Sequence, residues 1–344
     1  MIRMRQTHVL LRFVVVLSIF LASFSAQAGN AIPPADSREA MAWLKKIQSA
    51  AQKLSYSGTF VYQQGNQMRT SRITHVFNGN SELEKLEILD GKPREYVRNN
   101  EEVVCYVPEA KTMLVEKRVT HDVFPAILAA NPGDLSAIYK VKKGRAGRVA
   151  GRDCETVVLD PRDKLRYGYK LWADKATGLL LKAQTLDDRH EIVEQISFAQ
   201  ISIGDIAPAK TKASFTDTSG WRVENAEMSS ARPSGWTATW LPAGFHKVRE
   251  VKRLVSDTAS DNGTSTTVGG STQRMVRQLV FSDGLAAISV FIEPGSQSRT
   301  EGSVQQGATN IIGKRQGDYW ITLVGEVPAA ALRQVANSIE FKPQ

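Results

Sequence analysis

Long apolar runs are scarce in this 344-residue chain. The one candidate, Phe13 to Phe24, covers 12 residues, well short of the ~20 that a membrane-crossing helix needs. Arg3, Arg5 and Arg12 precede or open it and Ala26-Gln27-Ala28 follows. The pattern reads as a secretory signal peptide over residues 1–28, with the mature chain starting at Gly29. No cysteine lies at the cleavage site, so lipid attachment there is not expected. The product is expected to be soluble and exported.

Cysteine is nearly absent, and the two present, Cys105 and Cys154, both lie in apparent strands. In an exported chain an even count suggests a disulfide, with two small buried hydrophobes as the plainer alternative. Histidine is equally sparse. His75, His121, His190 and His246 remain after signal removal, and none stands at metal-ligand spacing with another His or Cys, so no metal is expected. The chain lacks a nucleophile elbow, a phosphate loop and a dinucleotide fingerprint, which leaves no catalytic group and no cofactor to name. Asp187-Asp188 falls in an expected turn and reads as a solvated acid pair rather than a catalytic one.

Charge is mildly one-sided. The net charge of +9 falls to +6 once the signal removes three arginines and no acid, which favours acidic partners or anionic head groups without demanding either. Lys140, Lys142, Lys143, Arg145, Arg148 and Arg152 follow one another with no acid between them. In an exported protein such a stretch points to an acidic protein segment or an anionic lipid rather than to nucleic acid. A solvated hairpin tip is the plainer reading.

What the chain has in quantity is strand. After a helix over Asp36 to Leu54, with Ala40, Trp43, Leu44, Ile47, Ala51 and Leu54 on one face, come short β-branched and aromatic segments. They are punctuated by Gly65-Asn66, Asn78-Gly79, Asp90-Gly91 and Asn99-Asn100, an antiparallel meander broken by a helical turn at "VFPAILAA". A sheet this wide must curl, split or close. The expected fold class is therefore α+β: a large curved antiparallel half-barrel with helices over residues 29–204, a linker over 205–233, and a smaller sheet domain over 234–344. Phe60, Tyr62, Tyr96 and Tyr106 are candidates to line the concave side, or else core beneath the helix.

In the second domain, Trp236 and Trp240 are expected on one face of a strand, followed by a basic strand through "KVREVKRLV" and a polar mobile loop over 256–273. Asp283-Gly284 suits a two-residue hairpin turn. Strands near 303–314 and 318–325 precede a closing helix with Ala331, Leu332, Val335 and Ile339 on one stripe. Candidate partner contacts are Trp236, Trp240, Phe245, Tyr319 and Trp320, with Arg249, Lys252 and Arg253 nearby.

The segments "GTFVYQQG", "RYGYKLWADKATGLLLKAQTLDDRHEIVEQ", "WTATWLPAGF", "VFSDGLAAISVFIE" and "ITLVGEVPAAALRQVANSIEF" resemble the periplasmic MucB/RseB family, and the likeness runs through nearly the whole mature chain. One departure is His190, where the family pattern leads one to expect glycine. The resemblance implies a lipoprotein-carrier-like half-barrel followed by a smaller domain. It also implies binding to the periplasmic part of a membrane anti-sigma factor, which is thereby shielded from the site-one protease, and release by a lipoprotein or lipopolysaccharide. A soluble carrier of lipid-modified proteins is the alternative. A second copy of the chain stands as a further candidate partner.

Overall fold

The computed structural model describes residues 35–117, 132–226, 228–230, 234–256, 273–295 and 299–342. The signal segment, the helical turn at 123–130 and nearly all of the polar loop over 256–273 lie outside the described residues.

Helix α1 (Ala35–Lys53) forms where the apolar period predicts it. Asp36 sits in its first turn and Lys53 in its last, each suited to the dipole at its end. Its buried face, Ala40, Leu44, Ile47, Ala50 and Ala51, is pressed against strands; Leu44 and Ile47 each contribute about 1.5–3 kcal/mol by leaving water.

The chain then lays down β1 (Tyr56–Gln64), β2 (Gln67–Phe77), β3 (Glu82–Ile88), β4 (Arg94–Asn99), β5 (Glu102–Val107) and β6 (Thr112–Lys117). A short α2 (Pro132–Ile138) leads into β7 (Tyr139–Lys143), β8 (Gly147–Val149), β9 (Arg152–Pro161), β10 (Gly168–Asp174), β11 (Leu180–Leu186) and β12 (Ile192–Ile203). Then come β13 (Arg222–Ala226), β14 (Met228–Ser230), β15 (Trp236–Ala238), β16 (His246–Ser256), β17 (Gln273–Ser282), β18 (Ala287–Pro294), β19 (Gly302–Gln306), β20 (Thr309–Gln316) and β21 (Tyr319–Gly325). Helix α3 (Ala329–Asn337) and β22 (Ile339–Phe341) close the chain.

Thirteen strands make one open sheet in the order β13-β6-β5-β4-β3-β2-β1-β12-β11-β10-β9-β7, with β8 also on β9. The meander from β1 to β6 forms one arm and β12 back to β7 the other. The arms join where β12 runs antiparallel to β1 through a bulge at Thr59/Phe60. Gly58 permits that junction, since a Cβ there would stand 2.5 Å from the Gln200 carbonyl oxygen. Helix α1 covers the second arm, where Tyr139, Val141, Val157, Leu159, Tyr169 and Leu171 meet its apolar face in one core. His75 ties the helix end to the sheet, with Nδ1 2.8 Å from the Leu54 carbonyl and Nε2 3.0 Å from Glu82 Oε1.

A second sheet of seven strands runs β14-β16-β17-β18-β21-β20-β19, and β15 pairs with β22 in a ribbon of its own. Ala331, Leu332, Val335 and Ala336 of α3 pack on one face of the seven strands.

Several expectations change. Segment 205–233 carries ordered strands. Its β13 extends the large sheet in parallel with β6, and Phe215 and Trp221 cluster with Tyr106, because these aromatics bury more apolar surface than a tether would. The stretch expected as one strand over 303–314 is two, folded back at Gly307 with φ +56°. The β17–β18 loop spans four residues, Asp283 to Ala286, since the register pairs Ser282 with Ala287 and the Asp283 carboxylate accepts the amides of Leu285 and Ala286. His190 adopts φ +62°, the left-handed conformation for which the resemblance leads one to expect glycine.

The cysteines are not bridged: Cys105 and Cys154 are both free. They lie on β5 and β9, eight steps apart in the strand order, roughly 38 Å along the sheet at ~4.8 Å per strand, whereas a disulfide needs Cα atoms within about 7 Å. Thiol titration under denaturing, non-reducing conditions should therefore find two thiols; a count of zero would restore the bridge. In the folded protein Cys154, its thiol pushed up to about 11 by burial, should alkylate more slowly than the half-buried Cys105.

Candidate partner-binding site

The four aromatics expected to line a concavity do not converge. Phe60 is core, edge-on to Phe198 at 5.7 Å. Two residues on, the Tyr62 hydroxyl donates to Glu194 Oε2 at 2.9 Å, and burial together with that carboxylate raises its pKa. Tyr96 is exposed on β4, and Tyr106 stacks on Phe215. The basic stretch is similarly dispersed, because acids from α1 and from neighbouring strands reach it. Lys142 pairs with Asp160 at 2.5 Å, Lys143 with Glu39 at 2.7 Å and Glu155 at 3.1 Å, and Arg152 with Asp174 at 2.8 Å. Arg148 donates to the Gly151 carbonyl oxygen and Arg145 is exposed.

Polar order concentrates instead where the two large sheets meet. The fully buried Arg166, in the loop between β9 and β10, reaches the equally buried Asp283 at 2.5 Å. It also donates to the Ala243 carbonyl oxygen at 2.6 Å and to Asp163 at 3.0 Å. Its guanidinium lies over Tyr139 at 5.8 Å and Phe245 at 5.7 Å. Burial opposes its charge, and the carboxylates of Asp163 and Asp283 more than offset that. Apolar side chains are exchanged across the same seam. Leu285 and Ala308, from loops of the smaller sheet, join the core under α1, while Leu165 packs into the core under α3. Farther along, Gln64 donates to the Gln306 carbonyl oxygen at 2.9 Å. A groove of about 610 Å³ opens there between three hairpin tips, those of Gln64–Gln67, Glu191–Val193 and Gln305–Gly307.

A second concavity, of about 230 Å³, lies on the smaller sheet and is lined by Ser234, Trp236, Lys252, Arg277, Ile292, Tyr319 and Phe341. Its wall is aromatic: Trp236 meets Tyr319 edge-on and Phe341 at a tilt, both at 5.2 Å. Trp236 is buried, whereas Tyr319 and Phe341 keep 38% and 48% of their surface exposed, so the rings have a wet side. The β16–β17 register sets Lys252 directly opposite Arg277, which places both on one face. Glu250 steadies that wall by accepting from the Ser234 amide at 3.1 Å, Lys247 at 2.9 Å and Arg277 at 2.8 Å. Burial alone would raise its pKa; those donors more than reverse the effect and lower it. Gly235 gives the ribbon its tight entry, with φ +82° and no room for a Cβ beside the Lys342 carbonyl oxygen.

Of the expected partner contacts, Trp236, Lys252 and Tyr319 thus come together. The others do not. Strand β15 ends at Ala238, before Trp240, which is partly exposed and does not line the cleft. Phe245 is buried at the seam beneath Arg166. Trp320 follows Tyr319 in the strand and so points to the other face, where its Nε1 donates to Thr322. Arg249 alternates away from Lys252, and the side chain of Arg253 lies outside the described residues. Phe341, Arg277 and the Arg166 cluster were not among the expected site residues. Only "DPRDKLRYG", a dense charge alternation beside a strand, carries a local signal for the last. Among the described residues no group of three or more His, Cys, Asp or Glu is placed to hold a metal, and no helix is long and apolar enough to cross a membrane.

A family model for the MucB/RseB N-terminal domain matches residues 39–226, and one for the MucB/RseB C-terminal domain matches residues 230–340. The chain is similar to the sigma factor AlgU regulatory protein MucB of Pseudomonas aeruginosa, with 30% identity over 315 residues, covering 90% of this chain and 93% of that protein. It is similar also to the sigma-E factor regulatory protein RseB of Haemophilus influenzae, at 26% identity over 314 residues, 91% of this chain and 95% of that one. Among solved structures, a crystal structure of MucB in complex with MucA(peri) superposes with a TM-score of 0.66 at 27% identity, covering 89% of this chain and all of that one.

Proposed function

The chain belongs to the MucB/RseB family, and from that membership we propose that it is a periplasmic negative regulator that works by binding rather than by catalysis. Its partner is the periplasmic segment of a membrane anti-sigma factor. The observation that carries this reading is the likeness over nine-tenths of the chain to a sigma factor regulatory protein, together with the likeness to a MucB chain solved with MucA(peri) bound. The mechanism is steric: the bound segment is hidden from the site-one protease, and the sigma factor stays sequestered. An export signal over residues 1–28 delivers the chain to that compartment.

Release is by a ligand that prefers the unbound form and shifts the balance by its differential affinity. The family supports a lipoprotein or lipopolysaccharide-type ligand for this role. The packed positions of Phe60, Tyr62 and Tyr106 give such a ligand no aromatic cage at those residues.

The test mixes the purified mature protein with the periplasmic segment of the anti-sigma factor from the same organism and follows cleavage by the site-one protease. Dose-dependent protection is expected. Full cleavage in the presence of folded, excess protein would overturn the regulator and favour a carrier of lipid-modified proteins.

A further inference from the structure

Hairpin β16–β17 has an unusual charge balance. Within its two strands, Lys247, Arg249, Lys252, Arg253, Arg274 and Arg277 stand against Glu250, and the connecting segment adds Asp257 and Asp261, three acids to six cations. Glu250 is already engaged by Ser234, Lys247 and Arg277. At the other basic stretch Lys142, Lys143 and Arg152 each have a carboxylate partner. The cleft of about 230 Å³ opens on this hairpin, with Lys252 and Arg277 on one side, Tyr319 and Phe341 on the other, and Ile292 among the lining residues.

From this geometry we infer that the cleft is a docking site for an acidic peptide segment that carries one apolar or aromatic side chain. The side chain lies against the wet side of Trp236, Tyr319 and Phe341, and flanking carboxylates meet Lys252 and Arg277. Size and charge together select the occupant. A dry cavity of ~150 Å³ is enough to hold a benzene ring, so the cleft of about 230 Å³ has the size for one ring-sized group. Carboxylates on an extended segment would meet Lys252 and Arg277 at the cleft and would steer the encounter as well as hold it. The inference rests on the regulator reading, and assigns to this cleft a particular chemistry within the anti-sigma segment.

The experiment uses the full mature chain and three probes: the intact periplasmic segment of the anti-sigma factor, a blocked heptapeptide of sequence GDEFEDG, and vesicles containing phosphatidylglycerol. Lys252→Glu changes an exposed side chain and should leave the thermal midpoint unmoved. It should lower the affinity for both the heptapeptide and the anti-sigma segment at least tenfold at low salt, with the difference narrowing as salt rises. Replacing the phenylalanine of the heptapeptide with glycine should abolish its binding. Phe341→Ser, a second variant that leaves all charges in place, should weaken both peptide probes without altering their salt dependence. If wild-type protein binds the anti-sigma segment and Lys252→Glu binds it equally well, the docking site is overturned while the regulator reading stands. If the wild-type protein fails to bind that segment at all, the regulator reading itself falls. Vesicles that displace the heptapeptide through Lys252 would overturn the peptide assignment in favour of an anionic lipid surface.

Discussion

Asp283→Ala is expected to cost about 3–5 kcal/mol of folding stability, the range for breaking a buried ion pair by removing one partner. It should be read as a lower denaturation midpoint with an unchanged slope. Both side chains of the Arg166–Asp283 pair are fully buried, so removing the carboxylate leaves a buried cation short of one partner. Asp163 and the Ala243 carbonyl oxygen still accept from Arg166, and this places the expected loss toward the lower end of the range. The Leu285 and Ala286 amides would lose their acceptor as well, which pushes the other way. Arg166→Met combined with Asp283→Leu should recover part of the stability, because an apolar pair of similar size has no charge to desolvate, while the Leu285 and Ala286 amides stay without their acceptor. A loss below about 1 kcal/mol in Asp283→Ala would mean that the seam is wetter than its geometry indicates.

Trp236→Ala is expected to cost a similar ~3–5 kcal/mol, the range for truncating a buried aromatic. Trp236, with Ile339 of β22, joins the β15–β22 ribbon to the core under α3, and it also forms the inner wall of the aromatic cleft. Trp236→Phe keeps a ring against Tyr319 and Phe341 and should cost less than half as much. Chemical denaturation of both variants decides the matter, and equal costs would show that ring packing is not what holds the ribbon.

Much of the local structure was legible in the sequence because its causes are local. The α1 stripe, the Gly65-Asn66 turn with Gly65 at φ +56° and the α3 stripe each depend on neighbours within a few residues. The junction of β12 with β1 was not legible, since it brings Tyr56 opposite Ile203 and no short-range period encodes such a pairing. Neither was the role of Arg166. Its partners Asp283 and Ala243 lie far along the chain, and in sequence it is one cation in an alternating run. Trp236 and Tyr319 could be picked out as aromatic anchors, but Phe341 could not, because it follows the last apolar stripe and has no pattern of its own. The basic stretch from Lys140 misled for the same reason: acids absent from the segment arrive from α1 and β9.

Strand β13 ends at Ala226 in the large sheet and β14 begins at Met228 in the smaller one. With one residue between them, their Cα atoms can stand at most about 7.3 Å apart. The crossing therefore transmits displacement with almost no slack. If a ligand pries the sheets apart at the Arg166 seam, this point must serve as a fulcrum: the sheets can pivot about it, but they cannot slide past each other without stripping hydrogen bonds from β6 or β16. Any opening that frees a bound segment would then be a rotation, widest at the parts of the seam farthest from residue 227.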